Sequence, residues 1–543
     1  MTLNIVGKSI QRVDAYDKVT GRALYPQDLA MDGMVYAKTV RSKKPHAYIK
    51  TDFTEAEKVE GVIRIFDYKD VKNNFHGVVF KDQEVFCSKK VRRIGDPIAL
   101  IVAESQKACD KAFEKVIINY EELPSVFCPK EAMKEDAPIV HEDNDSNVCY
   151  HYKIRKGDVK DAFKNAHVVV ENTYTTHPVD HAFIQPEAGL AYLEEDGTVV
   201  VAVATQYPHY DREEVANALG LEQEQVKILN TNIGGAFGGR EDITLQIHIA
   251  LAAKELKKPI KMIFSREESF IAHSKRHGFI MKCKTAADKD GKLLALESEI
   301  IGDTGAYASW ALNVLRKAGV HITGPYEIPN VNVDSYAVYT NNILSGAMRG
   351  FGAAQPPIAT EQQMDIIAEK LGISPIEIRE RNMFKKGSIT ATGQLLKESV
   401  PLDKCLYAVT DQYNKLKKDS KDSIIKRGAG IGLSFYGTGY GDGFPDVSTA
   451  RVELLNDGRV GIFVGATEVG QGAKTALAQI GAEQLDLTLD DIVFISEDTS
   501  KMPDAGTAAA SRQTYNTGNS IKKACKEFKD KFLWRFPLFE LEV

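Results

Sequence analysis

Five segments rich in glycine and other small residues constrain this chain more than any other feature. They lie within residues 234–511 and are Gly234–Glu241, Ala347–Gly352, Phe435–Gly441, Glu468–Gly472 and Gly506–Ser511. Glycine permits a positive φ and allows backbone N–H groups to approach a ligand closely. Any one of these segments alone would most simply be a turn. Five of them favour loops from distant parts of the chain that surround one large ligand.

The residues around the glycines limit which ligands the loops could bind. Gly239 precedes ITLQIHIALAAKEL and Gly472 precedes AKTALAQIGAEQL, two helical patterns whose positive ends would attract phosphate-like oxygens. None of the five segments matches G-x-G-x-x-G, so a dinucleotide-binding Rossmann turn is poorly supported. Gly7-Lys8-Ser9 resembles the end of a P-loop, but the earlier glycine that a P-loop requires is replaced by Thr2. We therefore expect neither of these phosphate-binding turns.

Length and composition exclude several classes of protein. At roughly 100–200 residues per domain, 543 residues predict three or four structural units. A hydrophobic fraction of 43% and a charged fraction of 27% are typical of a globular chain and not of a disordered or fibrous one. The net charge of -6 and the lack of a basic run argue against nucleic-acid binding. With no signal peptide and no apolar run long enough to span a membrane, we expect a cytoplasmic protein.

The seven cysteines are scattered and form no CxxC pair or cluster with metal-ligand spacing. The sequence therefore predicts that this chain alone binds neither a structural zinc ion nor an iron–sulfur cluster. Scattered thiols in odd number are typical of a reducing compartment.

Elements of both types alternate along the chain, which predicts a mixed α/β (α+β) fold. Residues 15–125 form one expected α/β unit, 126–160 are charged and loop-like and are expected to be a linker, and strands and helices mix again from residue 161. Met364, Ile367, Ala368 and Leu371 mark one face of a helix that Gly372 should end. The next helix should begin after Ser374, with Pro375 and Glu377 in a capping box.

Several motifs in series resemble the molybdenum-binding subunit of the xanthine dehydrogenase / aldehyde oxidase family. They are GGAFGGRED, AMRGFGAAQ, TEVGQGAKT and ASRQTYNTGN, with HAFIQPEAGLA, ATQYPHY and GPYEIPN as further matches. TGRALYPQD, RSKKPHAYI and GDPIALIVAES resemble the family's N-terminal hammerhead domain. The resemblance implies a hammerhead domain over 15–125. It also implies a molybdopterin-binding region with a first part over 161–400 and a second part over 401–543.

The resemblance also implies a cofactor, partners and a reaction. The cofactor would be molybdopterin, in its cytosine dinucleotide form, with molybdenum held by the pterin and not by protein side chains. Iron–sulfur clusters and FAD would lie on partner subunits that receive the electrons. The implied reaction is hydroxylation of a purine or related N-heterocycle with oxygen from water, and aldehyde oxidation is the alternative. Carbon monoxide oxidation is disfavoured, because that branch has a cysteine before R-G-F-G and NNILSGAMRGFG has none.

Roles for individual residues follow from the matched motifs only. The residues expected to contact the cofactor are Gln206, Gly235, Phe237, Gly238, Gly239, Arg349, Gln471, Ala509, Ala510 and Ser511. Phe351 and Phe435 match two rings that enclose the substrate, and Glu241 matches a glutamate that contacts purines. Arg316 matches a basic residue that neutralises charge on the substrate, although Lys317 fits the motif as well. The simpler readings are a helix-start acid for Glu241 and core aromatics for the two rings.

The sequence departs from the family in its last part. The family's general base is a glutamate in a C-terminal G-V-G-E-like segment, and we find no such segment here. The usual subunit continues for on the order of 200 further residues, so the last subdomain is expected to be incomplete. Three explanations stay open: a truncated or frameshifted gene, a second polypeptide that supplies the missing part, or a non-catalytic remnant. The closing FLWRFPLF is apolar and would be an exposed patch if unpaired.

Overall fold

The computed structural model describes residues 3–418, 428–439 and 446–535. Tyr440 and Gly441 of the third glycine segment lie outside the described residues, as does the second half of the closing apolar segment. The strands are β1 Val35–Arg41, β2 Ala47–Asp52, β3 Val62–Phe66, β4 Phe75–His76, β5 Gln83–Glu84, β6 Lys90–Val91, β7 Pro97–Ala103, β8 Ile117–Glu122, β9 Val148–Lys156, β10 Val168–Thr175, β11 Ala188–Leu193, β12 Val199–Val203, β13 Val226–Asn230, β14 Ile260–Ile263, β15 Phe279–Ala287, β16 Leu293–Gly305, β17 Asn330–Tyr339, β18 Arg451–Leu454, β19 Val460–Phe463 and β20 Ile492–Ile495. The helices are α1 Ala15–Val19, α2 Thr54–Glu57, α3 Gln106–Phe113, α4 Pro129–Ala132, α5 Val159–Lys164, α6 Pro208–Leu219, α7 Gln246–Leu256, α8 Arg266–Ala272, α9 Ala311–His321, α10 Pro356–Leu371, α11 Pro375–Asn382, α12 Leu402–Lys418, α13 Ala473–Leu485 and α14 Gly518–Arg535. The mixed α/β class predicted from the sequence is confirmed.

The chain divides into two compact units that are each built from separate stretches of sequence. The first unit comprises residues 1–124, 180–274 and 438–543, and the second comprises 125–179 and 275–437. Both units are therefore closed by segments that lie far apart in the chain.

A seven-stranded mixed sheet of order β13-β12-β11-β14-β1-β7-β3 organises the first unit. Its central contact is the parallel pairing of β1 with β14, in which Val35 lies opposite Ile260. The strands of the expected N-terminal domain thus share one sheet with residues 188–263. β7 is buried along its whole length, as its unbroken apolar sequence predicts.

A five-stranded sheet of order β10-β15-β16-β17-β9 organises the second unit, and helices α9 and α10 pack against it. The edge strand β9 corrects the expectation of a loop-like linker over 126–160. It pairs antiparallel with β17, for example Ile154 with Val333. The linker expectation rested on the charged residues 130–147, which precede the strand, and the lysines and arginine of β9 are tolerated because it is an edge strand.

The two helices that were predicted from their capping residues are found where the sequence places them. α10 ends at Leu371 and Gly372 follows with φ 69°, the left-handed conformation that favours glycine. Ser374 caps α11 by accepting a hydrogen bond from the Glu377 N–H at 3.0 Å. α10 begins at Pro356, earlier than its apolar face suggests.

The helix predicted after the first glycine segment begins later than expected. α7 starts at Gln246, and its residues from Gln246 to Ala253 are buried, as predicted. The Gln246 side-chain oxygen accepts hydrogen bonds from the N–H groups of Thr244 and Leu245 at 2.8 and 2.9 Å. The expectation that Gly239 leads directly into this positive helix end is therefore wrong, because the helix begins only at Gln246, seven residues after Gly239.

Candidate functional site

Gln206 joins two of the small-residue segments in the first unit. It follows β12, and its side chain is 3% exposed. Its side-chain oxygen accepts a hydrogen bond from the Gly238 N–H at 2.9 Å, and its amide nitrogen donates to the Ala508 carbonyl at 2.9 Å. The Ala508 N–H in turn donates to the Gln206 backbone carbonyl at 3.0 Å. Loops separated by some 270 residues thus meet on one buried amide side chain.

Asn230, at the end of β13, brings a third segment to the same place. Its amide nitrogen donates to the Thr205 carbonyl at 3.1 Å and to the Thr467 hydroxyl at 3.3 Å. Thr467 directly precedes the segment Glu468–Gly472. Three of the five segments therefore converge within the first unit.

Residues 235–237 have backbone N–H groups without a partner among the described residues, and they adopt an unusual conformation. Gly235 has φ 102° and Phe237 has φ 57°, a positive value that is rare for a residue with a side chain. Among the described residues, no acceptor is found for the N–H groups of Gly235, Ala236 and Phe237. Successive unpaired N–H groups in such a turn form a concavity for an anionic oxygen. This geometry fits a phosphate or a cofactor oxygen.

The loop 505–511 also contains residues with a side chain at positive φ. Ala510 and Ser511 both have positive φ, at 53° and 56°. Strained residues of this kind cluster at functional sites and persist where their surroundings hold them. Here Arg512, which is 1% exposed, donates to the carbonyls of Ala505 and Val447 and pairs with Asp446.

Glu241 is a buried acid beside Gln206. Its side chain is 2% exposed, and one oxygen lies 3.5 Å from the Gln206 amide nitrogen. The other oxygen has no hydrogen-bond partner among the described residues. Burial, reinforced by the neighbouring Asp242, raises the pKa of Glu241 well above its usual range, so the protonated form is favoured. A neutral carboxyl with an unused oxygen can both donate to and accept from a ligand.

The positive end of helix α13 is already occupied. Gly472 precedes the helix, as predicted, with φ 86°. Glu468 accepts hydrogen bonds from the N–H groups of Gly470, Gly472 and Lys474 at 2.7, 3.0 and 3.1 Å. The expectation that this helix end holds phosphate-like oxygens is wrong, because the protein's own carboxylate fills it.

Gln471 lies in the same loop and is held by protein groups. Its oxygen accepts from the Val469 N–H at 2.6 Å, and its nitrogen donates to the Thr467 carbonyl at 2.9 Å and to Gln513 at 2.8 Å. The structure thus fixes the conformation of this loop through Gln471.

The remaining predicted residues lie in the second unit. Arg349 is exposed, and its backbone carbonyl accepts a hydrogen bond from Arg276 at 2.7 Å. Phe351 has φ 49° and packs edge-on against Trp310, with ring centroids 5.8 Å apart. Phe435 stacks on His321 at 4.7 Å. Both rings are only partly buried, so each retains a face for other contacts.

Lys317 and Arg316 are adjacent on α9. The Lys317 ammonium lies 3.9 Å from the centre of the Tyr436 ring and donates to the Gly437 carbonyl at 3.2 Å. Burial and the charge of Arg316 lower the pKa of Lys317 to about 8. Lys317 is therefore a basic group beside Tyr436 whose charge is sensitive to pH.

Gln185 and Arg240 support the glycine loop and were not assigned a role from the sequence. The Gln185 side-chain oxygen accepts from the Gly234 N–H at 2.6 Å. Arg240 donates to the carbonyls of Gly235 and Gln185 at 2.9 and 2.6 Å and lies over the Phe183 ring. Gln185 lies in the motif HAFIQPEAGLA, and this motif was the sequence signal that could have identified it as a site residue.

The donor set suits an organic cofactor better than a directly bound metal ion. In the part of the chain that the structure describes, no group of three His, Cys, Asp or Glu side chains could hold a metal.

Among the described residues, no helix is long and apolar enough to cross a membrane.

Comparison with known proteins identifies three matching family models. An aldehyde oxidase and xanthine dehydrogenase hammerhead domain matches residues 20–124, and molybdopterin cofactor-binding domains match residues 140–383 and 406–535. The hammerhead domain and the molybdopterin-binding region predicted from the motifs are therefore confirmed.

Individual relatives agree with these models. The nicotinate dehydrogenase large molybdopterin subunit of Eubacterium barkeri is 44% identical over 73% of this chain and 94% of its own length. The xanthine dehydrogenase molybdenum-binding subunit of Escherichia coli O157:H7 is 32% identical over 96% of this chain and 72% of its own length. The aldehyde oxidoreductase structure from Desulfovibrio gigas superposes with a TM-score of 0.91 at 32% identity, covering 96% of this chain. This chain spans 60% of that aldehyde oxidoreductase.

Proposed function

Because this chain belongs to the molybdenum-binding subunits of the xanthine dehydrogenase and aldehyde oxidase family, we propose that it holds molybdopterin and hydroxylates an N-heteroaromatic substrate. The observation that carries the proposal is the convergence on Gln206, which joins the Gly238 N–H, the Ala508 carbonyl and the buried Glu241. When bound, the pterin–molybdenum group supplies oxidative hydroxylation of carbon with oxygen derived from water.

The cofactor contacts are proposed from the donors that the loops leave unused. The N–H groups of Gly235 and Phe237 would meet a cofactor oxygen, with Gly238 and Gly239 holding the turn. Ala509, Ala510 and Ser511 would line the opposite side, and Gln206 would fix the two loops relative to each other. Gln471 and Arg349 are proposed to contact the pterin, which we take to be the cytosine dinucleotide form.

The substrate contacts are proposed from chemistry of the side chains. A neutral Glu241 can donate a hydrogen bond to a ring nitrogen or accept one from a ring N–H, which suits a purine or pyridine ring. Phe351 and Phe435 would pack on the faces of such a ring. Arg316, or Lys317 beside it, would neutralise negative charge that develops on the heterocycle. The relatives named for nicotinate and for xanthine support this substrate class.

Aldehyde oxidation is the second candidate, supported by the likeness to the D. gigas aldehyde oxidoreductase. An aldehyde presents one carbonyl oxygen, which can accept a hydrogen bond from the neutral Glu241. A heterocycle presents both ring nitrogens that accept and ring N–H groups that donate, so it can use both capacities of the carboxyl and is the better fit. A third reading, a non-catalytic remnant that lacks the general base, would bind cofactor or partners without turnover.

Glu468 is not assigned as the general base, since it is committed to the start of α13. We propose that iron–sulfur and FAD subunits on partner polypeptides receive the electrons. The test is to express the chain with its genomic neighbours in the cytoplasm and to assay xanthine, nicotinate and benzaldehyde with an artificial electron acceptor. Turnover of a heterocycle above that of benzaldehyde supports the proposal. Cofactor loading without turnover under every pairing would favour the remnant.

A further inference from the structure

The N-terminal residues 4–14 run along helix α13 and end at the loop Thr467–Gly472. They are attached by three side chains of α13 that are spaced four residues apart, Thr475, Gln479 and Glu483. Residues at this spacing lie on one face of a helix. We call residues 4–14 the N-terminal strap.

The first attachment is at the far end of α13 from the loop. The carboxylate of Glu483 accepts hydrogen bonds from three successive backbone N–H groups of the strap, Asn4, Ile5 and Val6, at 3.0, 2.6 and 3.0 Å. A carboxylate bound by three backbone donors is a strong, directional contact. It fixes the start of the strap on the helix.

The middle and the end of the strap follow the same helix face. The Gln479 amide donates to the carbonyls of Ile5 and Lys8 at 2.9 and 3.2 Å. The Val13 N–H donates to the Thr475 hydroxyl at 3.1 Å. The strap is thereby carried from Glu483 to the first turn of α13, next to the loop.

Arg12 connects the strap to the loop itself. Its guanidinium donates to the Gly470 carbonyl at 3.0 Å and to Glu468 at 3.2 Å, and Asp14 orients it at 2.8 Å. Glu468 is the same carboxylate that accepts the N–H groups of Gly470 and Gly472. A charge-assisted contact to a planar guanidinium restricts both the carboxylate and the carbonyl in direction.

We infer that the N-terminal strap positions the loop Thr467–Gly472 and that Arg12 is the positioning residue through which it retains the pterin. The inference rests on the proposed function, in which Gln471 of this loop contacts the cofactor. Without Arg12, Glu468 still caps α13, but the Gly470 carbonyl loses its partner and the loop gains freedom. The cofactor then leaves the folded protein more readily.

The test measures cofactor loss from the loaded complex and not its activity. Wild type, Arg12→Gln and Arg12→Lys are dialysed, and molybdenum and pterin are measured over time, the pterin by fluorescence after oxidative release. Arg12→Gln should lose both about tenfold faster than wild type, and Arg12→Lys by an intermediate factor, since the charge-assisted hydrogen bonds from the guanidinium to Gly470 and Glu468 are lost in the first variant and partly replaced in the second. Lys18→Gln is the matched control, because Lys18 pairs with Asp14 at 2.5 Å and no contact with the loop is found for it among the described residues.

Gln479→Ala keeps the inference testable if Arg12 variants fold poorly, because it loosens the strap without touching the loop. It should speed cofactor loss by a smaller factor. Equal loss rates in wild type, Arg12→Gln and Gln479→Ala, with only the unfolding temperature lowered, would overturn the inference. A wild-type complex that never contains pterin would instead refute the proposed function.

Discussion

The side-chain oxygen of Gln206 accepts the N–H of Gly238 at 2.9 Å, although the two residues are 32 positions apart. The same side chain donates to Ala508, which lies 302 positions after Gln206. The geometry of the proposed cofactor site in the first unit therefore depends on one buried amide.

Replacing Gln206 by alanine should weaken both the fold of the loops and their hold on the cofactor. The Gly238 N–H and the Ala508 carbonyl would lose their partners, at a cost of about 1–3 kcal/mol for each buried group. We expect a lower unfolding temperature and reduced molybdenum content. Gln223→Ala, at an exposed glutamine, is the control and should change neither. Full molybdenum content in Gln206→Ala would remove this residue from the site.

The A-M-R-G-F-G segment should tolerate no side chain at its last glycine. A Cβ on Gly352 would lie 2.1 Å from the Val314 carbonyl oxygen, and its φ is 92°. Gly387, with φ 95°, has no heavy atom within 4 Å of such a Cβ and isolates the conformational cost. Gly387→Ala should cost about 1–2 kcal/mol and Gly352→Ala about 1–3 kcal/mol more. Thermal unfolding of the two variants measures the difference, and equal values would mean that no collision occurs.

Asp211 should make stability depend on pH. It is fully buried in the first turn of α6, and burial raises its pKa to about 7, against hydrogen bonds from Gln246 and Thr205 that lower it. Between about pH 4 and pH 7 the folded state holds a proton that the unfolded state has released. This contribution to stability is present below pH 4 and is lost as the pH rises towards 7, by up to about 1.4 kcal/mol per pH unit.

Unfolding of wild type and Asp211→Asn between pH 4 and pH 8 tests this expectation. The asparagine variant should lose this part of the slope, because it has no proton to release. Parallel stability curves for the two proteins would show that Asp211 does not titrate in this range.

Glu241→Gln should separate recognition of a heterocycle from stability. The amide resembles the protonated acid that burial favours, so the unfolding temperature at pH 7 should not fall. A reduction of about tenfold in kcat/KM is expected for a heterocycle, because the amide has its donor and acceptor fixed on different atoms and cannot exchange them as a neutral carboxyl can. Benzaldehyde oxidation should fall much less. Equal losses for both substrates would contradict a specific role in ring recognition.

Sequence motifs predicted the loops of the site but not the side chains that hold them together. Glycine spacing located the segments 234–241, 468–472 and 506–511, and the positive φ values of their glycines agree with the residue type. The positive φ values of Phe237, Ala510 and Ser511 were not predictable from it. The roles of Asn230 and Arg512 depend on contacts between residues far apart in sequence, which no local pattern reports. Glu468 could be read from the sequence only as part of a loop, since its capping geometry arises when Gly470 and Gly472 fold back on it.

In the fold as well, elements with a local sequence signal were predicted, and a pairing between strands far apart in the sequence was not. The apolar run of β7 and the caps of α10 and α11 are local signals and predicted those elements. The pairing of β1 with β14 joins residues 35 and 260 and was not predictable from either strand alone. The edge strand β9 was missed because the charged, loop-like residues 130–147 directly precede it.

The central claim is that loops from distant parts of the chain bind one pterin with its molybdenum. The most direct measurement is the molar content of molybdenum and pterin in the chain purified with its partner subunits from molybdate-supplied cells. Our account predicts about one of each per chain, both lowered together in Gln206→Ala. A purified complex that contains neither, while another molybdenum enzyme in the same cells is loaded, would contradict it.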